Sequence, residues 1–127
     1  MKRDDSRGVT APKGFRAAGL HCGIKKPGLL DLALLVSDRT GPIAGVFTSN
    51  QVVAAPVILD RKHLRKRQGR AILINSGNAN ACTGQPGLQA AQRTATLVAR
   101  TLQVPTHNVF VSSTGVIDRQ GAADYAG

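Results

Sequence analysis

The 127-residue chain carries seventeen Lys and Arg against seven Asp and no Glu, a formal net charge of +10. Its two cysteines form no CxxC pair and its three histidines stand apart, so no metal-ligand spacing is present. No run of about eighteen apolar residues exists to span a membrane, and the basic start MKRDDSRGVT leads into no apolar region of a secretory signal.

These features predict a soluble, cytoplasmic chain with free, buried or half-buried thiols at Cys22 and Cys82. Aromatics are only 3% of the residues and Trp is absent, so a core must come from Val, Ile, Leu and Ala. Small side chains bury little apolar area each, which points to modest stability and dependence on a partner chain. The positive balance fits a solvated basic surface, a polyanion partner, or a larger protein whose acidic part lies elsewhere.

Residues 8–30 are rich in Gly, Pro and basic side chains and predict extended segments and turns. The apolar run at 31–37 (DLALLVS) predicts a strand. A turn at Thr40, Gly41 and Pro42 then leads to a second strand at 43–49, making a hairpin. A third strand is expected over 52–59, with Pro56 placing it at an edge or bulge. The basic stretch 61–70 (RKHLRKRQGR) predicts a short surface helix or a loop anchored by Leu64. A compact strand at 71–74 follows and enters the small, polar stretch 75–84 (NSGNANACTG).

Pro86 suits the first turn of a helix, because its missing N–H would be unpaired there anyway. Ala91, Ala95, Val98 and Leu102 share one face at helical spacing, and Pro105 prevents continuation. A last strand at 109–113 runs into Thr114 and Gly115. The order predicts an α/β domain with a mixed sheet.

Three segments are candidates for chemistry. At residues 112–115 (SSTG), a strand end followed by glycine can turn backbone N–H groups outward beside a hydroxyl. That is the hardware of an oxyanion hole, although Ser-Thr-Gly is also an ordinary turn. The loop 75–84 leads into a helix and could cradle an anion. It lacks the P-loop ending and the GxGxxG pattern, and reads better as a tight connection with Asn in left-handed conformations. The run 61–70 could contact phosphates, but no aromatic lies between Phe47 and Phe110 for base stacking. No nucleophile has a local base arrangement and no carboxylate pair is present.

Taken together, the strings GVTAPKGF, RAAGLHCGIKK, DLALLVS, AGVFT, AAPV, AILINSGNANACTG and SSTGVI resemble the ornithine acetyltransferase family of arginine biosynthesis, in the family's order. The resemblance implies the N-terminal part of an N-terminal-nucleophile, αββα-type fold over residues 1–117. It further implies an acyl transfer in which a threonine, freed by self-cleavage, takes an acetyl group from N-acetylornithine and passes it to glutamate. Bifunctional members also use acetyl-CoA as co-substrate. No bound cofactor or metal is implied.

By the resemblance, Thr114 and Gly115 match the oxyanion-hole pair, the Thr114 hydroxyl and the Gly115 N–H being the donors. The threonine and lysine that contact substrate, the Ala-Thr self-cleavage junction and the second chain with its threonine nucleophile would all lie further on. Residues 118–127 (DRQGAADYAG) depart from the family's pattern, and the expectation is a truncated or frameshifted product that is inactive alone. The alternative reading is a small basic nucleic-acid-binding module using residues 61–70.

Overall fold

The computed structural model describes residues 5–117. After a short 3-10 segment, Asp5–Thr10, a four-stranded sheet forms from β1 (Phe15–Leu20), β2 (Leu32–Pro42), β3 (Gln68–Asn78) and β4 (Val109–Val116), in the order β1-β2-β3-β4. The first three strands are antiparallel neighbours, whereas β3 and β4 run parallel. Helix α1 (Ala55–Leu64) precedes β3, and α2 (Gly84–Leu102) makes the crossover from β3 to β4. A mixed α/β sheet is therefore what the order of elements foretells, because a parallel return needs a crossover long enough for a helix.

Register alternation sorts the side chains into two faces. The rows Arg16–Val36–Ala71–Val109 and Ala18–Leu34–Leu73–Val111 lie on one face. On it Val36, Ala71, Val109 and Val111 join Leu59 of α1 and Ala91, Ala95 and Ala99 of α2 in one buried cluster. The predicted helix face held Ala91 and Ala95 correctly. Val98 and Leu102 are partly buried against the cluster, and Ala90, Thr94 and Ala99 complete the buried stripe. These small side chains let α2 lie close to the sheet. The row Ala17–Leu35–Ile72–Phe110 lies on the opposite face, where Phe110 is buried with the His63 ring of α1 edge-on at 6.2 Å and Leu35 and Ile72 are half-buried.

Two predicted strands are not formed. Residues 43–50 are irregular rather than the second arm of a hairpin. The reason is that β2 has both its edges filled, by β1 and by β3. Residues 40–42 are not a turn but the continuation of β2 past an irregularity between Val36 and Gly41. Ile43 then packs over Gly69, 2.9 Å from where a Cβ would stand, and the chain leaves the sheet.

The predicted strand over 52–59 is instead an irregular stretch, 52–54, and the start of α1. A continuous apolar run does not distinguish strand from helix by periodicity. Here Pro56 sits in the first helical turn, where its fixed φ is preorganised for a helix. Ala55, Leu59 and His63, four residues apart, are the buried face. Within 61–70, helix, turn and the first residues of β3 follow in succession, and Leu64 is only half-buried.

Candidate active site

Thr114 and Gly115 lie within β4, just before its last residue Val116, rather than in a loop beyond it. Thr114 pairs with Ser76 and Gly115 with Gly77. Both glycines have positive φ, +119° at Gly77 and +132° at Gly115, a region that L side chains avoid. A Cβ on Gly115 would stand 2.6 Å from both the Asn78 nitrogen and the Gly77 Cα. The two backbones are in direct contact, and only glycine fits.

Alternation also fixes where the Gly115 N–H points. Val116 accepts from the Ala79 N–H at 3.0 Å, so Val116 and Thr114 spend their backbone groups on β3. Val109, Val111, Ser113 and Gly115 turn theirs to the other edge. At the start of that edge α1 takes them. His63 Nδ1 bonds the Val109 carbonyl at 2.8 Å, and Asp60 Oδ1 accepts from the Val111 N–H at 3.0 Å. Among the described residues no strand pairs with the edge at Ser113 and Gly115. The Thr114 side chain is exposed on the sheet face opposite α1 and α2. An exposed Thr114 side chain thus stands next to Gly115, whose edge of β4 no described strand pairs.

Behind this pair lies a support absent from the sequence reading. Asp31 is 2% exposed, and its carboxylate accepts from the Cys22 N–H at 2.6 Å and the Lys25 N–H at 2.9 Å. His21 Nδ1 lies 3.1 Å from its second oxygen. Burial opposes the charge, but the N–H groups of Lys25 and Cys22, the Cys22 thiol and His21 outweigh it and hold the carboxyl below the usual range.

The loop thus tied carries Ile24 and Lys25 onto Gly77, where a Cβ would lie 2.7 Å from Ile24 Cγ2. The main-chain oxygen of Asp31 accepts from the Ser76 N–H at 2.8 Å. A path of contacts runs from Asp31 through the loop to Gly77 and so to Gly115. The signal was available: a lone Asp closing a Gly- and Pro-rich turn before an apolar strand is well placed to collect turn N–H groups.

Both cysteines are exposed, not buried as expected. Desolvation and the hydrogen bond to Asp31 push the Cys22 thiol up, which keeps it protonated and a poor nucleophile. Among the described residues no three His, Cys or Asp gather as metal ligands.

The 75–84 stretch forms the end of β3 and a turn that is structural in its contacts. Asn80 has φ +47°, the left-handed Asn expected, and Cys82 has +59°. The Asn80 amide donates to the Gly87 carbonyl at 2.9 Å, the Thr83 hydroxyl donates to Asn80 Oδ1 at 2.6 Å, and the Asn75 amide donates to the Asn78 carbonyl at 2.7 Å. In the basic stretch, Arg61 is engaged internally, over the Phe47 ring at 5.6 Å and donating to the Thr48 carbonyl at 2.6 Å.

The ArgJ family model matches residues 16–125. The chain belongs to the ArgJ family. It is 50% identical over 105 residues to the arginine biosynthesis bifunctional protein ArgJ of Geobacter sulfurreducens, a match covering 83% of this chain and 27% of that protein. It is 46% identical over 118 residues to the protein of the same name from Rhodopirellula baltica, covering 93% and 29%. The ArgJ-family chain therefore spans under a third of the length of these relatives.

Among solved structures it superimposes on the Bacillus halodurans ArgJ protein with a TM-score of 0.86 at 39% identity, covering 92% of this chain and 61% of that one. It also superimposes on the ornithine acetyltransferase of Mycobacterium tuberculosis, crystallised with ornithine, with a TM-score of 0.87 at 46% identity, covering 93% and 64%. The α/β architecture described above is that of the ArgJ family. No helix among the described residues is long and apolar enough to cross a membrane. The tail expected not to match, residues 118–127, lies outside the described residues, and the family model runs into it as far as residue 125.

Proposed function

We propose that this ArgJ-family chain is the N-terminal part of an acetyltransferase of arginine biosynthesis, and that Thr114 and Gly115 are its oxyanion donors. The observation that supports the reading is the Gly77–Gly115 backbone contact at the end of β4, where the exposed Thr114 side chain adjoins a strand edge that no described strand pairs. The relative solved with ornithine supports an ornithine-type substrate.

In the proposed reaction a threonine on the downstream part of the enzyme attacks the acetyl carbonyl of N-acetylornithine. Its hydroxyl proton passes to the freed amino terminus. Negative charge gathers on the carbonyl oxygen, where the Thr114 hydroxyl and the Gly115 N–H receive it. Collapse breaks the C–N bond, ornithine leaves with the proton, and an acetyl ester remains on the threonine. The glutamate amine then attacks that ester through the same oxyanion position; the ester C–O bond breaks, the amine's proton returns to the threonine oxygen, and N-acetylglutamate leaves. In a bifunctional enzyme acetyl-CoA loads the threonine by the same step, with the thiol as leaving group.

The test is complementation. The chain is co-expressed with the downstream remainder of the Geobacter relative, and N-acetylglutamate is measured from N-acetylornithine and glutamate. The chain alone is expected to give none and the pair to turn over. Thr114→Ala is expected to lower kcat of the pair about 10²–10³-fold, the usual effect of losing one oxyanion donor. An active pair indifferent to Thr114→Ala removes the oxyanion role. Turnover by the chain alone, abolished by that substitution, refutes the placing of the nucleophile elsewhere.

A further inference from the structure

The sheet face turned away from α1 and α2 holds a groove of about 330 Å³, lined by Phe15, Leu35, Pro42, Ile43 and Ile72 with Arg70 among them. Arg70 Nε and Nη1 are both buried and neither has an acceptor. A guanidinium does not shed its charge, so these donors lie desolvated and unpaired in an apolar setting. Among the described residues no Asp lines the groove. Asp38 of β2 is committed to Arg16 at 2.9 Å outside it.

We propose that this groove is an interface that receives an Asp- or Glu-bearing apolar segment from the remaining part of the ArgJ-family chain, its carboxylate closing on Arg70. The inference rests on the reading of this chain as one part of a larger acetyltransferase. Three observations select the occupant. The chain spans only 27% of its Geobacter relative and 29% of its Rhodopirellula relative, so most of the family's length lies elsewhere. The two open donors, Nε and Nη1, lie on different edges of the guanidinium, so a carboxylate takes one of them together with Nη2 and supplies the negative charge that the buried cation lacks. A second copy of this chain is disfavoured, because it would bring two chains of net charge +10 and two unpaired guanidiniums together.

The experiment is a binding titration on the co-expressed pair described above, with Arg70→Met, Arg70→Lys and, as control, Arg65→Met on the exposed end of α1. Arg70→Met is expected to weaken the complex at least tenfold while the variant chain alone unfolds at an equal or higher urea concentration than wild type. That combination is the signature of a charge waiting for its partner, and a purely internal structural role would lower both. Arg70→Lys is expected to fall between, and Arg65→Met to match wild type.

Modification of wild-type Arg70 by phenylglyoxal, mapped by mass spectrometry, is expected to stop in the complex. This arm needs no variant to fold. Equal affinity for Arg70→Met, unprotected Arg70, or no complex at all overturns the proposal. A complex that depends on Arg70 yet transfers no acetyl group overturns the proposed function and leaves the interface. An active pair indifferent to Arg70→Met does the reverse.

Discussion

Gly115 is where a single missing Cβ decides the most. Its φ of +132° and its contact with the Gly77 and Asn78 backbones leave no room for a methyl group. Gly115→Ala is expected to destabilise the chain by more than ~2 kcal/mol, from backbone strain and overpacking together. Gly41→Ala, at a glycine with ordinary φ and open space around it, is expected to change stability by less than ~1 kcal/mol. Urea unfolding of both variants checks this. The string STGVI pointed to position 115, yet its partner Gly77 was legible only as one more small residue in NSGNANACTG. Which glycine meets which is a matter of strand register, and register joins residues 38 positions apart. Asp31 was missed for the same reason: its value lies in the loop it ties to Gly77, not in its own neighbours in sequence.

Two elements are held by polar side chains that a propensity reading scores as indifferent. Helix α1 is latched to β4 by Asp60 and His63, and their titrations oppose each other. Burial pushes the Asp60 carboxyl up to about 6 despite the Val111 N–H. The folded state therefore holds a proton that the unfolded chain has lost, and this contribution fades as pH rises from about 3.8 to about 6. Burial pushes His63 down, against its bond to Val109. Its contribution is full above the ordinary value of 6.5 and is lost as pH falls through the lowered one. Asp60→Asn is accordingly expected to expose a rise in stability with pH below 6.5, and His63→Gln a fall between pH 4 and 6. Urea midpoints across pH 4–7 read both slopes.

In α2, Gly87→Ala is expected to destabilise by about 1–3 kcal/mol, although alanine is the better helix former. The added methyl would overlap the Thr83 hydroxyl and Asn80 Oδ1 and break the turn that starts the helix. A fall in thermal midpoint checks it, and a rise would show that the turn gives way at little cost.

At the scale of the whole molecule, helices cover one face of the sheet, and the other presents a half-exposed apolar surface with a charged, unpaired arginine in it. Covering that face takes apolar area out of water, and a ligand of the folded state stabilises it by mass action. Saturation with the downstream remainder is expected to raise the thermal midpoint of this chain, and added salt to loosen the complex. A midpoint independent of the remainder would show that the face stays uncovered.

The low aromatic content and the excess of positive charge are properties of composition, and they carry the expectation of a domain that leans on a partner. Strand β4, helix α2 with its alanine face and the stop near Pro105 were also written locally, in periodicity and in the backbone chemistry of proline. Tertiary structure alone decided that β2 is sandwiched between β1 and β3, so that 43–49 has no edge to pair with. It alone decided that Pro56 opens a helix rather than marking an edge strand, because Leu59 and His63 find burial against β4. It decided as well that Gly77 meets Gly115 and that Arg70 finds no acceptor. Each of these is a contact between residues distant in sequence, and local preference, worth a fraction of a kcal/mol per residue, yields to burial worth several times more.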